Sequence, residues 1–292
     1  PADLLPTGHR RKPPAPVTGV LGPDLGATPV GDPITISRLE FDVLWEHLRL
    51  ADMPLVLRVP SPGQTYIERR QLTAEVWQAL AERGLGHRLS VDDRLAYLLR
   101  LLEKPDQEID GRFGATRGVR LLVAATGDDA VFAVLSKNGL VLSETPVTGL
   151  AREALSVLPP VGAGPGESIT VRSSVLDTAA STAASPEAFE FALCRNGIRA
   201  RDAGILRTMV TGVRRQGQFG ASARNRWGHR RRAPHVVGFF DTDYGRYLQL
   251  RTTAADGQVW STISPADNRL LTQQLSDLLA GITATASAER QR

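Results

Sequence analysis

The apolar positions of this 292-residue chain change period several times, and the changes mark its elements. Ile34-Thr35-Ile36 reads as a short strand. Phe41, Leu44, Trp45 and Leu48 follow at i, i+3, i+4 and i+7, the spacing of one buried helical face. Leu55-Val56-Leu57-Arg58-Val59 reads as a second strand, closed by Pro60 and Pro62. Helical spacing returns at Leu72, Val76 and Leu80, then at Leu95, Leu98, Leu99 and Leu102. After Pro105 the period becomes two: Val119, Leu121 and Val123 alternate with Arg120, Leu122 and Ala124, and Val131 to Leu135 forms another apolar run. Asn138-Gly139 predicts a type I′ hairpin turn, in which both central residues take positive φ. Leu150, Ala154, Val157 and Leu158 mark a helix stopped by Pro159-Pro160.

The order then recurs. Ser168-Ile169-Thr170-Val171 is a strand, and Ser185-Pro186 suits an N-cap and first helical position, with Phe189 and Leu193 as anchors and Gly197 as the stop. Ile205, Leu206, Met209, Val210 and Val213 continue a helical face. Strands are predicted over 236–240, 246–251 and 258–263, and a last helix from Ser264-Pro265-Ala266-Asp267 that buries Leu271, Leu275 and Leu278.

Spacing supports a repeat. Gly111-Arg112-Phe113-Gly114-Ala115 matches Gly217-Gln218-Phe219-Gly220-Ala221 at all but one position, and the intervals Gly127–Gly139 and Gly245–Gly257 are equal. Coincidence in a Gly- and Ala-rich chain is the alternative. A repeat predicts an α+β fold of two halves related by a quasi-two-fold axis, with an antiparallel central sheet flanked by helical bundles. The expected divisions are a disordered Pro/Gly-rich tail over 1–32, halves over 33–160 and 161–282, and a disordered tail over 283–292. The second half carries an insertion, 223–234, in one strand connection.

Composition adds limits. With 42% hydrophobic and 23% charged residues the chain is an ordinary globular one. Cys194 is the only cysteine, which excludes an intramolecular disulfide and suits a reducing compartment. It lies in a helical segment near Phe191 and Leu193 and reads as packing. No stretch approaches the roughly 20 apolar residues of a membrane span. The basic His9-Arg10-Arg11-Lys12 run leads into Pro13-Pro14-Ala15-Pro16 instead of an apolar segment, unlike a secretory signal.

Several motifs are missing. The histidines at 9, 47, 87, 229 and 235 form no zinc pattern, and Gly164-Pro165-Gly166-Glu167-Ser168 is not a nucleophile elbow. Asp241-Thr242-Asp243 reads either as a cation site or, preferably, as a turn before Gly245. No phosphate-binding or dinucleotide fingerprint occurs. The expectation is a protein that is not an enzyme, with no catalytic residue, metal or cofactor.

Gly217-Gln218-Phe219-Gly220, Val237-Gly238-Phe239-Phe240-Asp241-Thr242-Asp243-Tyr244-Gly245-Arg246 and Trp260-Ser261-Thr262-Ile263-Ser264-Pro265 resemble the EspG proteins of actinobacterial type VII (ESX) secretion systems. Phe41-Asp42-Val43-Leu44-Trp45, Pro54-Leu55-Val56-Leu57 and Arg112-Phe113 look similar too, and the resemblance spans roughly 33–281 in the same order. It implies a quasi-symmetric α+β fold and a cytoplasmic chaperone. Such a chaperone covers the helical tip of a PE/PPE-like or WXG100-like substrate, keeps it soluble and presents it for export. A homodimer without substrate is a further expectation.

For such a task an exposed aromatic surface with arginines at its rim is the expected interface. The candidate partner-binding residues are Arg224, Arg226, Trp227, Phe239, Tyr247, Arg251 and Trp260. Tyr247, Gln249 and Arg251 alternate with Leu248 and Leu250, which turns one set away from the core; the alternative is that the aromatics fill it. The basic loop 224–232 reads as a mobile contact for an acidic partner face, as a solvated loop, or as the site of a nucleic-acid-binding regulator.

Overall fold

The computed structural model describes residues 30–114 and 118–288. Among these residues the chain is a mixed α and β protein with eight helices, a large antiparallel sheet and a separate strand pair. In chain order the elements are β1 (Val30–Ile36), α1 (Arg38–His47), α2 (Tyr66–Glu82), β2 (Gly86–His87), β3 (Ser90–Val91), α3 (Asp93–Leu101), β4 (Gln107–Phe113), β5 (Val119–Thr126), β6 (Asp129–Ser136), β7 (Gly139–Glu144) and α4 (Leu150–Leu155). Then follow β8 (Ile169–Arg172), α5 (Ser173–Thr182), α6 (Pro186–Arg195), α7 (Ala200–Val210), β9 (Arg215–Arg224), β10 (Arg230–Arg232), β11 (Val237–Thr242), β12 (Gly245–Thr253), β13 (Val259–Pro265) and α8 (Asn268–Ala288).

The chain divides into two compact units. The described residues of the first fall within 27–154, 220–233 and 276–292; those of the second fall within 155–219 and 234–275. In the first unit the strand order is β1-β7-β6-β5-β4, and in the second it is β9-β11-β12-β13-β8. In each, the opening strand leads to three helices and then to a meander whose last strand pairs with it.

Local chemistry explains the helix starts. Ser37 and Glu40 form a capping box at α1: the Ser37 hydroxyl accepts from the Glu40 amide (3.1 Å) and the Glu40 carboxylate accepts from the Ser37 amide (2.6 Å). Thr65 and Glu68 repeat the device at α2. Ser185 caps α6 with Pro186 behind it. In the first unit, Phe41 and Leu44 of α1, Val76 and Leu80 of α2, and Leu95, Leu98 and Leu99 of α3 pack with Leu122, Ala133 and Leu142 of the sheet. In the second, Leu176, Phe189, Leu193, Leu206 and Met209 pack with Ile169, Phe240, Tyr247 and Ile263.

Four expectations need correction, and one helix was not foreseen. Leu55–Val59 is not a strand: Leu57 donates its amide to the Pro54 carbonyl (2.9 Å), and the segment is a turn that buries Val56, Leu57 and Val59. The run is apolar because it is a plug, not because it pairs. The β6–β7 hairpin is present, but Ser136 pairs with Gly139, so Lys137-Asn138 is the central pair and only Gly139 has positive φ (123°). The turn is therefore not type I′. Helix α5 has no sequence signal because its buried face is made of Leu176, Ala179 and Ala180 between serines and threonines. The tail expected from 283 begins too early: α8 continues to Ala288 and buries Ile282 and Ala286 in line with Leu271, Leu275 and Leu278. The β5 alternation fails because Leu121, Leu122, Val123 and Ala124 are all buried, as in a strand covered on both faces. Of the tail expected over 1–32, residues 1–29 lie outside the described residues, as do Ala115 and 289–292; β1 begins at Val30.

Candidate partner-binding surface

The basic insertion is a hairpin. Past Phe219, β9 runs on to Arg224, and β10 returns beside it with Arg230 opposite Arg224, Arg231 opposite Ala223 and Arg232 opposite Ser222. The connecting turn is built by Asn225, whose side-chain oxygen accepts from the Trp227 amide (3.1 Å) and the His229 amide (2.9 Å). Gly228, at φ 77°, takes the left-handed position. Arg224 donates Nε to the Pro105 carbonyl (3.1 Å) and a terminal nitrogen to the Gly228 carbonyl (2.7 Å), and its amide donates to the Asp106 carbonyl (2.8 Å).

Two carboxylates of β4 hold the returning strand. Arg230 pairs with Glu108, and Arg232 pairs with Asp110 through both oxygens. The hydrogen bond to Asp110 raises the Arg232 guanidinium above its ordinary value. Gly220 makes room for this: a Cβ there would lie 2.1 Å from a terminal nitrogen of Arg232. The mobile basic loop expected over 224–232 is thus corrected to an ordered hairpin, because carboxylates far away in sequence neutralise its strand. At its tip Trp227 is 53% exposed, with the Arg226 guanidinium 4.2 Å from a ring centroid of the indole.

The second unit sorts its candidates differently. Phe239 is 2% exposed and stacks on Phe219 with centroids 5.9 Å apart. Tyr247 is fully buried, stacks on Phe240 (5.2 Å) and donates its hydroxyl to the Pro165 carbonyl (3.0 Å); burial holds its phenol above the usual value. Neither offers surface to a partner, which corrects both assignments. The expected orientation of β12 is also reversed. Tyr247 lies opposite Phe240, and Arg251 pairs with Asp177 of α5, so this set faces the helices. Alternation shows that two faces differ; it does not show which is covered.

The opposite face stays accessible toward the edge strand. Thr252, Trp260 and Arg172 form one cross-strand row, and Leu250, Thr262 and Thr170 the next. Arg172 lies 5.9 Å from a ring centroid of the Trp260 indole, and the Thr170 and Thr262 hydroxyls are 2.8 Å apart. Arg224, Arg226 and Trp227 are therefore together in the first unit, and Trp260 stands on an open face of the second. Sequence reasoning missed Arg172, Glu108, Asp110 and Gly220. Acids at alternate positions of a strand were the available signal for the carboxylates. Asp243-Tyr244 form the preferred turn before Gly245, with Thr242 paired to Gly245, and Asp241 and Asp243 also form ion pairs with Arg246, Arg215 and Arg214.

The model of the EspG family matches residues 37–277. The chain belongs to the EspG family. This EspG-family chain also shares its fold with the type VII secretion system chaperone EspG5 of Mycobacterium tuberculosis, solved in complex with a PE25–PPE41 dimer. That match has a TM-score of 0.65 at 17% identity and covers 85% of this chain and 96% of EspG5. No curated protein gives a significant match to this EspG-family sequence. Among its described residues, no helix is long and apolar enough to cross a membrane.

Proposed function

We propose that this chain is a cytoplasmic, non-enzymatic chaperone of a type VII secretion system that binds a PE/PPE-like helical pair and keeps it soluble for export. Membership of the EspG family carries the reading, and the fold shared with a relative solved with a PE–PPE dimer supports it. The contact residues we assign are Arg226 and Trp227 at the hairpin tip, with Arg224 beneath them, and Trp260 with Arg172 on the open strand face. Aromatic and arginine side chains in this arrangement are the composition of protein interfaces. The recurring strand, helices and meander support reading the chain as a quasi-two-fold repeat.

Co-expression with the PE/PPE-like and WXG100-like pairs encoded near this gene, followed by affinity purification and gel filtration, tests the reading. A stable complex with a PE/PPE-like pair is expected, and the chain alone reports whether it forms a homodimer. Recovery of no complex with any pair overturns the proposal.

A further inference from the structure

We infer that Arg38, Arg58, Arg112 and Arg120 of the first unit form a docking surface for a carboxylate-bearing segment of a protein partner, with the exposed Leu55 as its apolar contact. The identity of the partner rests on the chaperone reading; the cluster adds a second contact surface of defined chemistry.

Strand register brings the cluster together. Arg112 of β4 lies directly opposite Arg120 of β5, and Arg120 lies opposite Leu135 of β6. Residues opposite one another on antiparallel strands share a face, so both arginines leave the face that carries Leu122 and Leu135, at the rim of the helix-packed core. Arg38, the first residue of α1, donates Nε and a terminal nitrogen to the carbonyl of Ser136, the residue after Leu135 (3.1 and 2.8 Å). Arg120 donates a terminal nitrogen to the Arg58 carbonyl (2.9 Å), which holds the Leu55–Val59 turn beside it. Leu55, Arg58 and Arg112 are exposed, and Arg38 and Arg120 are half-buried.

The cluster lacks a counter-charge. The Ser136 and Arg58 carbonyls position two guanidiniums without neutralising them. Among the described residues none of the four arginines has a carboxylate within ion-pair distance, whereas Arg69, Arg83 and Arg94 of the same unit each have one. The acids of α1 are engaged elsewhere, Glu40 by Arg83 and both Asp42 and Glu46 by Arg69. Asp110, two residues before Arg112, is taken through both oxygens by Arg232. Burial, together with the charges of Arg38 and Arg112, holds the Arg120 guanidinium below its ordinary value. Like charges directly across a strand pair cost stability. Locally unfavourable choices of this kind are expected at functional sites.

The chemistry selects the occupant. Guanidinium forks match the two oxygens of a carboxylate. An exposed leucine among arginines joins apolar contact to charge, as protein interfaces do. Single-stranded nucleic acid also needs an aromatic platform for its bases, and these five residues include no aromatic ring.

The test uses the full chain in biolayer interferometry at low and physiological salt, against the PE/PPE-like pair recovered by co-expression and against an oligoglutamate peptide. The pair decides where it binds, and the peptide decides where it does not. Arg112→Glu and Arg58→Glu are each expected to weaken binding about tenfold and to flatten the salt dependence of association. Arg112→Lys keeps the charge without the fork and is expected to fall between. Arg112→Glu is also expected to leave the thermal midpoint unchanged or raised, because an opposite-charge pair replaces a like-charge one. Weaker binding without loss of stability is a result that a structural arginine does not give.

If the wild-type chain binds the pair and both Glu variants bind within about twofold of it, the inference fails while the chaperone reading stands. If the wild-type chain binds no pair but binds the peptide, with loss in both Glu variants, the chaperone reading fails and the docking surface stands. If it binds neither, both fail. If the Glu variants lose binding together with thermal stability, the arginines are structural and the inference is overturned. If they abolish binding of a single-stranded RNA probe and leave the pair bound, the cluster is a nucleic-acid site and the inference is overturned.

Discussion

Arg246 and Arg232 both face an aspartate, yet the two pairs serve different ends. In the second unit the Arg246 side chain is fully buried and Asp241 is 6% exposed. Arg246 donates Nε to one Asp241 oxygen (2.7 Å) and a terminal nitrogen to the other (3.0 Å), with further bonds to the Asn268 side chain and the Pro159 carbonyl (3.2 Å). Asp241 also accepts from Arg215. In the hairpin the Arg230 and Arg232 side chains are 40% and 41% exposed, although their partners Glu108 and Asp110 are only 8% and 13% exposed. A buried pair has lost its hydration, so each remaining donor needs a partner and the network is structural. A pair whose arginine reaches solvent is partly screened, so it adds less stability than the buried one but still sets where a strand lies.

The largest effect that tests this contrast is expected at the buried pair. Arg246→Leu leaves Asp241 in the interior with less compensation and should cost about 3–5 kcal/mol, read as a shift of the urea midpoint. A loss below about 1 kcal/mol would erase the distinction. Next is Gly164→Ala, whose Cβ would lie 2.2 Å from the Tyr247 ring; overpacking of this kind costs about 1–3 kcal/mol in the same assay.

An intermediate case is Arg94–Glu144, with side chains 34% and 24% exposed. Hydrogen bonds from Arg94 hold the Glu144 carboxyl below its ordinary value. Since the folded value is the lower one, this pair's contribution is present above the unfolded carboxylate value of about 4.3 and is lost as pH falls through the folded value. Glu144→Gln should flatten the acid limb of the stability–pH curve; an unchanged limb would show that the pair contributes nothing. The smallest effect is expected in the hairpin, where Glu108→Gln and Asp110→Asn should each cost about 1 kcal/mol or less. A larger loss would move these pairs into the structural class.

Much of the fold was legible because its signals are local. The apolar spacing at Phe41, Leu44 and Trp45, the Ser185-Pro186 start and the runs before Gly127 and Gly245 identify helices and strands from neighbouring residues alone. Leu55–Val59 misled because an apolar run looks the same whether its backbone pairs or simply plugs a gap. Helix α5 was silent because alanine and serine carry almost no periodic contrast. Among the candidate contacts, Trp227 and Trp260 retain exposed surface, whereas Phe239 and Tyr247 are core. Aromatic type was the same kind of evidence for all four, and only the tertiary arrangement separates them.

By itself, the sequence determined most of the helix and strand positions, the capped start of α6, and the family resemblance that rests on the succession of its motifs. Each depends on residues a few positions apart, where backbone geometry sets the spacing. The tertiary structure decided which face of β12 is buried and which arginines are tied down. Arg230 and Glu108 are 122 positions apart, as are Arg232 and Asp110, and no local periodicity carries a contact over that distance. Burial and charge pairing belong to the folded arrangement, so the same arginine reads as a free charge in the sequence and as a latch in the molecule.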